Sequence, residues 1–309
     1  MKKTSTLILL AIALLGLQSC NSNDDDQTAS ILDGTGITLD GDVDCCSAEE
    51  ALQVYKFLKT VKIIPELSTE VDGKYNVFAY SKTGKFSVGY NEIYFVAVKK
   101  GTGNYVKNFD VTNLSPLMTM TAMNMKHSTP VGSSVDSFND KYLAVKRGWV
   151  SFLMASTDKD FWVLSYDVKV LGHQKTVADA SFSVEALPQG QTWLQSFKTG
   201  DATYFISLVD PQNYQIGSNS ISAYVSKKSN PATQPYVVAE EVFTIEIVPT
   251  MPDMGGHSSP GNEALTKQAD GTYQGLINLT MTGYWKIDLT VKDKEGNVIA
   301  ENIHFDVTI

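Results

Sequence analysis

Methionine and histidine are concentrated in two short segments of the chain. These residues are Met118, Met120, Met123, Met125 and His127 in the first segment (116–130), and Met251, Met254 and His257 in the second (249–260). The two segments hold six of the nine methionines and two of the four histidines. Thioether sulfur and imidazole nitrogen together suit a soft metal ion, copper(I) above others. The segments therefore predict metal binding, with copper(I) as the favoured ion.

Two further methionines follow apolar, strand-like sequence. We expect Met281 to complete the second site and Met154 the first, because each follows its Met/His segment at an equivalent place. Gly255 and Gly256 would let the second loop fold so that His257 returns toward Met254. A packing role stays open, since Met fills irregular gaps in cores and the spacing Met118-x-Met120 is also that of an edge strand.

The rest of the chain predicts one helix followed by β-structure. Ser47 and Glu50 form a capping-box pattern, which predicts a helix over residues 47–64. Short β-branched and aromatic runs separated by turn residues predict strands. These runs are 76–80, 92–98, 149–154, 162–170, 204–209, 220–225, 243–248, 276–281, 285–291 and 304–309.

The two halves of this β region repeat the same order of motifs. Lys82-Thr83-Gly84 recurs as Lys198-Thr199-Gly200, each half then carries its Met/His segment, and Phe161-Trp162 corresponds to Tyr284-Trp285. Such a repeat predicts two tandem immunoglobulin-like β-sandwich domains, over residues 65–186 and 187–309. We expect the helix to pack against the first domain.

The N-terminus has the pattern of an exported lipoprotein. Residues 1–19 combine a basic start with an eleven-residue apolar run, which predicts a signal peptide. Its end resembles a bacterial lipobox, so that Cys20 would be lipidated and would anchor the chain in the outer-membrane lipid leaflet. The acidic run 24–26 resembles the export tag of surface lipoproteins of Bacteroidetes, and residues 20–46 read as a flexible tether. Surface display is expected, with a periplasm-facing protein as the alternative.

Charge and cysteine content narrow the function classes. The formal net charge is −9, and it becomes −11 when Lys2 and Lys3 leave with the signal peptide. Such an acidic chain is a poor candidate for nucleic-acid binding. Besides Cys20 there is only the adjacent pair Cys45-Cys46, and a disulfide between neighbouring residues closes no loop of the chain. A structural or incidental pair is favoured over a metal or redox role.

The second Met/His segment resembles a known family. Met251 to His257, Gly271-Thr272-Tyr273 and the stretch 279–287 are similar to the YtkA-like domains, which are related to FixH-like proteins. The resemblance spans about residues 200–309 and implies a small extracytoplasmic β-sandwich that handles copper. By position it implies Met251, Met254, His257 and Met281 as the metal-facing residues. This chain has one extra Gly before the His, and the first domain lacks the Pro-Asp-Gly pattern.

Two function classes remain after these observations. The favoured one is a lipid-anchored extracytoplasmic protein that holds copper(I) for acquisition, delivery or tolerance, with a copper donor or acceptor protein as a partner. The alternative is a surface module that binds glycans or proteins, with Trp193 as the best exposed stacking platform. An enzyme is not expected, because the chain lacks a nucleophile elbow, a His-Glu-x-x-His motif and a phosphate-binding Gly loop.

Overall fold

The computed structural model describes residues 31–37, 47–139, 142 and 144–309. The predicted signal peptide, Cys20, the acidic run and the Cys45-Cys46 pair lie outside these described residues. Within the described ranges, no helix combines the length and the apolar character needed to cross a bilayer.

Helix α1 (Ala48–Leu58) opens with the predicted capping box. The backbone N–H of Ser47 donates to Glu50 Oε2 at 2.8 Å, and Ser47 Oγ accepts from the Glu50 N–H at 3.3 Å. The helix buries Ala51 and Val54 in a small cluster on the first domain, as expected. It ends six residues before the predicted boundary, because the chain extends after it to begin the first sheet.

Thirteen strands build the first domain. They are β1 (Lys62–Ile63), β2 (Thr69–Val71), β3 (Tyr75–Ser81), β4 (Phe86–Ser87), β5 (Gly89–Lys99), β6 (Tyr105–Val106), β7 (Phe109–Met120), β8 (Met125–His127), β9 (Asp136–Ser137), β10 (Lys146–Phe152), β11 (Asp160–Val170), β12 (His173–Phe182) and β13 (Val184–Glu185). One sheet has the order β1-β3-β5-β10-β9, with β2 on β3 and β6 on β5, and the other has the order β12-β11-β7-β8. Strands β4 and β13 form a separate parallel pair. Phe95 and Phe152 from one sheet and Trp162 and Tyr166 from the other share one core.

Ten strands build the second domain. They are β14 (Leu194–Thr199), β15 (Ala202–Asp210), β16 (Gly217–Lys227), β17 (Val237–Val238), β18 (Thr244–Met251), β19 (His257–Ser258), β20 (Glu263–Lys267), β21 (Tyr273–Leu279), β22 (Tyr284–Lys292) and β23 (Val298–Thr308). Their order is β14-β15-β16-β21-β20-β18-β22-β23, with β17 on β16 and β19 on β18. Strand β20 pairs with both β21 and β18, so the two halves of the sandwich are continuous at that edge. The predicted fold, two tandem immunoglobulin-like sandwiches after a short helix, is confirmed.

The two sandwiches contact each other directly. The Trp149 ring stacks on Tyr224 with ring centroids 4.4 Å apart and an interplanar angle of 15°. Beside this stack the Val131 N–H donates to the Tyr236 carbonyl at 3.0 Å, and the Tyr236 N–H donates to the Thr129 carbonyl at 3.1 Å. Residues 129–131 follow strand β8 directly, so the end of the first Met/His segment is tied to the second domain.

An asparagine holds the start of one long strand in each domain, and it is buried in the second domain and half-buried in the first. In the second domain, Asn219 Nδ2 donates to the carbonyls of Gln215 and Gly217 at 2.8 and 2.9 Å, and its Oδ1 accepts the Gln215 N–H at 2.9 Å. Gly217 has a φ of 99°, which an L side chain rarely adopts. Asn91 closes the same kind of turn around Gly89 in the first domain.

Replacing Asn219 with Ala removes three hydrogen bonds and leaves backbone groups of the turn unpaired. We expect the free energy of unfolding of the second domain to fall by about 2–3 kcal/mol, measured by chemical denaturation. The control is Ser218→Ala, since Ser218 is exposed and lies beside Asn219 in the same strand. Its effect should stay within about 0.5 kcal/mol. Equal losses in the two variants would contradict this role for Asn219.

Candidate metal centre

The second Met/His segment is a β-hairpin rather than the loop expected from its composition. Strand β18 ends at Met251, a 3-10 turn spans Pro252–Met254, and β19 begins at His257. Gly255 and Gly256 make the reversal with φ values of 66° and 78°. As a result, Met251 and His257 are direct partners across the two strands. Directly opposed residues of an antiparallel pair project to the same face, so this register brings thioether and imidazole together.

The hairpin lies against the turn that carries Met281. The sequence predicts that Met281 ends a strand over residues 276–281. In the structure β21 ends at Leu279, and Met281 lies in the turn that follows. His257 Nε2 is 3.3 Å from the Thr280 hydroxyl. A Cβ on Gly283 would stand 2.9 Å from the Met251 methyl carbon, which shows that the Met251 side chain reaches the other end of the turn. Met251, His257 and Met281 are therefore gathered at one end of the second sandwich.

Trp285 forms the floor of this cluster. Thr250 pairs with Lys286, so the next positions along β18 and β22 are Met251 and Trp285. The Trp285 ring is fully buried and lies 6.1 Å from the His257 ring, centroid to centroid. Its indole N–H donates to the Met281 carbonyl at 3.0 Å. This bond fixes the turn that follows β21 relative to the sheet.

Met254 occupies a different environment from the two other methionines of this cluster. It ends the 3-10 turn at the tip of the hairpin, and 54% of its surface is exposed, whereas Met251 is 4% exposed and belongs to the core. Met281 is half-buried and packs against the same core. We call Met251, His257 and Met281 the inner set, in which the His257 ring is exposed at the surface beside Thr280, and Met254 is a solvent-facing thioether at the tip.

The first domain has the same arrangement on a longer hairpin. Met118 and His127 are cross-strand partners on β7 and β8, and Met118 also pairs with Trp162 on β11. The Trp162 and His127 ring centroids are 5.6 Å apart, at an interplanar angle of 86°. The Trp162 indole N–H donates to the Met154 carbonyl at 2.9 Å, in the turn after β10. Each domain therefore contains a His, a buried cross-strand Met, a Trp and a Met in the connection that leads into the Trp strand.

One hydrogen bond sets the tautomer of the first histidine. His127 Nδ1 is 2.8 Å from the Ser128 carbonyl oxygen, which can only accept, so Nδ1 carries the proton. Nε2 then keeps its lone pair and is the nitrogen that can bind a metal.

The remaining methionines of the first hairpin differ in exposure. Met123 and Met125 are 62% and 54% exposed, whereas Met120 is half-buried against the core. The 3-10 turn Thr121–Met123 is followed by Asn124 with a φ of 50°, in the place that Gly255 takes in the second hairpin. Asn tolerates this left-handed conformation better than most residues. Met118, which is fully buried, shows that some of these methionines do have a packing role.

Charged groups surround the second cluster without entering its inner set. Tyr284 donates to Asp306 Oδ1 at 2.7 Å, and this hydrogen bond, together with desolvation, raises the pKa of Tyr284 to about 12. Asp253 is exposed in the 3-10 turn. Across the described residues, no three His, Cys, Asp or Glu side chains come together as a metal cluster. Any ion held here is bound chiefly by neutral thioether and imidazole groups.

The tryptophans give little support to a stacking platform. Trp149, Trp162 and Trp285 are buried, and Trp193 is half-buried against the second core. A Cβ on Gly89 would stand only 3.2 Å from the Trp193 Cβ, so the first domain crowds this residue. Trp193 is the most exposed of the four tryptophans, as expected, but contact between the domains covers part of it.

Comparison with known proteins finds one family that is similar to the second domain. The YtkA-like family model matches residues 198–290, which include Met251, Met254, His257 and Met281. The resemblance predicted from the sequence is confirmed over this range, which is less than a third of the chain. No curated protein matches the chain.

Three solved structures are similar in fold. Domains 5–6 of the S-layer protein SbsC are 11% identical, with a TM-score of 0.25, over 78% of this chain and 98% of that one. A conserved domain protein from Bacillus anthracis is 10% identical, with a TM-score of 0.30, over 81% and 91%. The fibronectin(III)-like modules of CbhA from Clostridium thermocellum are 9% identical, with a TM-score of 0.20, over 81% and 93%.

The two kinds of methionine in the second hairpin should differ in their effect on stability. Met251→Ala opens a cavity in the core and should lower the free energy of unfolding by about 2–4 kcal/mol. Met254→Ala serves as the matched control, since its side chain is largely in solvent, and it should change stability by less than about 0.5 kcal/mol. Denaturant unfolding of both variants measures the difference. A large loss from Met254→Ala would contradict the assigned positions.

Proposed function

We propose that this protein binds copper(I) outside the cytoplasm, at one site in each sandwich domain. The observation that carries the proposal is the arrangement found in both domains, in which a His, its cross-strand Met and a second Met lie around a buried Trp. In the second domain these are His257, Met251, Met281 and Trp285. Two hairpins of different length and sequence hold the same residue types in the same relation, which favours a shared chemical purpose over coincidence.

The donor chemistry fits a copper ion in its reduced state. Thioether sulfur and imidazole are soft or intermediate donors, which favour copper(I) over hard cations such as Mg²⁺ and Ca²⁺. Unlike thiolates, thioethers form no disulfides, so they remain available as ligands in an oxidising compartment. Bound copper would supply a soft, exchangeable cation, while the protein supplies the donors and limits access by water.

The exposed methionines suit the entry and release of the ion. Met254 in the second hairpin, and Met123 and Met125 in the first, lie at the solvent side of the hairpins and each is more than half exposed. An incoming ion, or a partner protein that carries one, meets these thioethers before it meets the inner set. This division of roles is compatible with acquisition, delivery or tolerance, all of which need a site that both binds and exchanges.

Copper titration tests the proposal. The chain should be purified as residues 21–309 with Cys45→Ser and Cys46→Ser, since free thiols bind copper(I) by themselves. Under reductant, and against a chromophoric copper(I) chelator, we expect up to two equivalents to bind. Met254→Ala with His257→Ala should remove one equivalent, and Met123→Ala with His127→Ala should remove the other.

The matched control replaces the two histidines that lie away from the hairpins. His173 is on β12, where its Nδ1 is 2.7 Å from Asp72, and His304 is on β23. His173→Ala with His304→Ala should retain both equivalents. Full copper binding in the hairpin variants, or no competition by the unaltered chain, would refute the proposal.

The location of the protein forms the second part of the proposal. The YtkA-like match supports an extracytoplasmic position, and the lipobox-like sequence before Cys20 supports anchoring to the outer membrane with display at the cell surface. Cys20→Ala should abolish incorporation of radiolabelled fatty acid and release the chain from the membrane fraction. Asp24→Ala, Asp25→Ala and Asp26→Ala together should keep the lipid but reduce cleavage by protease added to intact cells. Lipid labelling that persists without Cys20 would exclude this anchor.

A further inference from the structure

Two of the three buried tryptophans have an unusual position for core residues. Trp162 and Trp285 are both fully buried, yet each ring lies within about 6 Å of the histidine ring of its own hairpin. Each indole N–H is also used in the same way, as a donor to the carbonyl of the methionine in the connection that leads into its own strand. The hydrogen bond fixes the orientation of the indole, and thereby the face that it presents to the cluster.

We propose that Trp162 and Trp285 form one wall of each metal site and restrict it to monovalent thiophilic cations. This inference rests on the proposed copper site and names the class of ion which that site accepts. It assigns to the indoles two tasks: attraction of a bound cation by the ring face, and exclusion of water from that side of the ion.

The distances allow the first task. Attraction between a cation and an aromatic face acts within about 6 Å of the ring centroid, and Trp is the strongest partner. The imidazole rings lie 5.6 Å and 6.1 Å from the indoles in the first and second domains. A metal–imidazole bond is about 2 Å long, so an ion bound on the indole side of the imidazole lies within this range.

The charges around the cluster support the restriction to monovalent ions. The inner set of the second domain, Met251, His257 and Met281, carries no negative charge, and the described residues contain no cluster of acidic or thiolate ligands. The cost of removing an ion from water rises steeply with its charge and must be offset by its ligands. Neutral donors beside a buried indole offset this cost for a singly charged ion better than for zinc(II), which usually takes thiolate, carboxylate or water ligands as well.

Silver(I) provides a direct test because it is monovalent, soft and stable in air. The protein is the mature chain, residues 20–309, with Cys20, Cys45 and Cys46 replaced by Ser. We expect silver(I) to quench the indole fluorescence of this chain and zinc(II) to leave it unchanged. Trp162→Phe and Trp285→Phe should each remove part of the quenching and weaken silver(I) binding at the affected site about tenfold. Trp193→Phe is the control and should retain both the quenching and the affinity.

The outcomes separate this inference from the copper proposal. Silver(I) or copper(I) binding that needs His127 and His257, but leaves the indole fluorescence unchanged, would overturn the inference and leave the copper proposal standing. Zinc(II) binding as tight as silver(I) binding would also overturn it. A chain that binds neither monovalent ion overturns both. If a Phe variant fails to fold, as judged by circular dichroism, the fluorescence of the chain with all four tryptophans and its zinc(II) titration still decide the question.

Discussion

The hydrogen bond from a buried indole to a methionine carbonyl is the interaction on which both candidate sites depend. In the second domain it joins Trp285 on β22 to Met281, in the turn beyond β21. These two strands are not neighbours in the sheet, since β20 and β18 lie between them. Met281 lies four residues before Trp285, in the connection between the two strands, so the bond closes this connection where it crosses the end of the sandwich. A buried indole N–H without a partner costs about 1–3 kcal/mol, so the turn is held where Met251 and His257 can meet it.

Methionine has a packing role in this fold and, in the proposed copper sites, a ligand role as well. Met118 and Met251 fill the cores beneath their hairpins, and the same placement fixes their thioethers next to a histidine. A buried ligand loses little further side-chain freedom when an ion binds, because folding has already ordered it. The exposed Met254 offers the opposite balance, with easy access from solvent. A site that combines the two kinds can hold an ion and still exchange it.

Sequence patterns predicted the strands and the helix start better than the site. All ten predicted strands overlap observed ones, because β-branched and aromatic alternation reflects burial on one face. The capping box placed the start of α1 at Ser47. The hairpins were missed because Met has no strong strand preference, so 118–127 resembled a loop. The contact of Trp162 and Trp285 with the histidines was also missed. It depends on strand register and on strands distant in the chain, which no local pattern encodes.

The two sites are similar without being equivalent, and the hairpin turns explain the difference. In the second hairpin Gly255 and Gly256 make the reversal. Gly255 takes the left-handed position, and His257 follows two residues later. In the first hairpin Asn124 takes that position, and the histidine follows three residues later, after the exposed Met125. The residues after His127 also bond to the second domain, whereas the second hairpin returns to strands of its own domain. If the proposed copper sites are occupied, the first is therefore the one placed next to the contact between the domains.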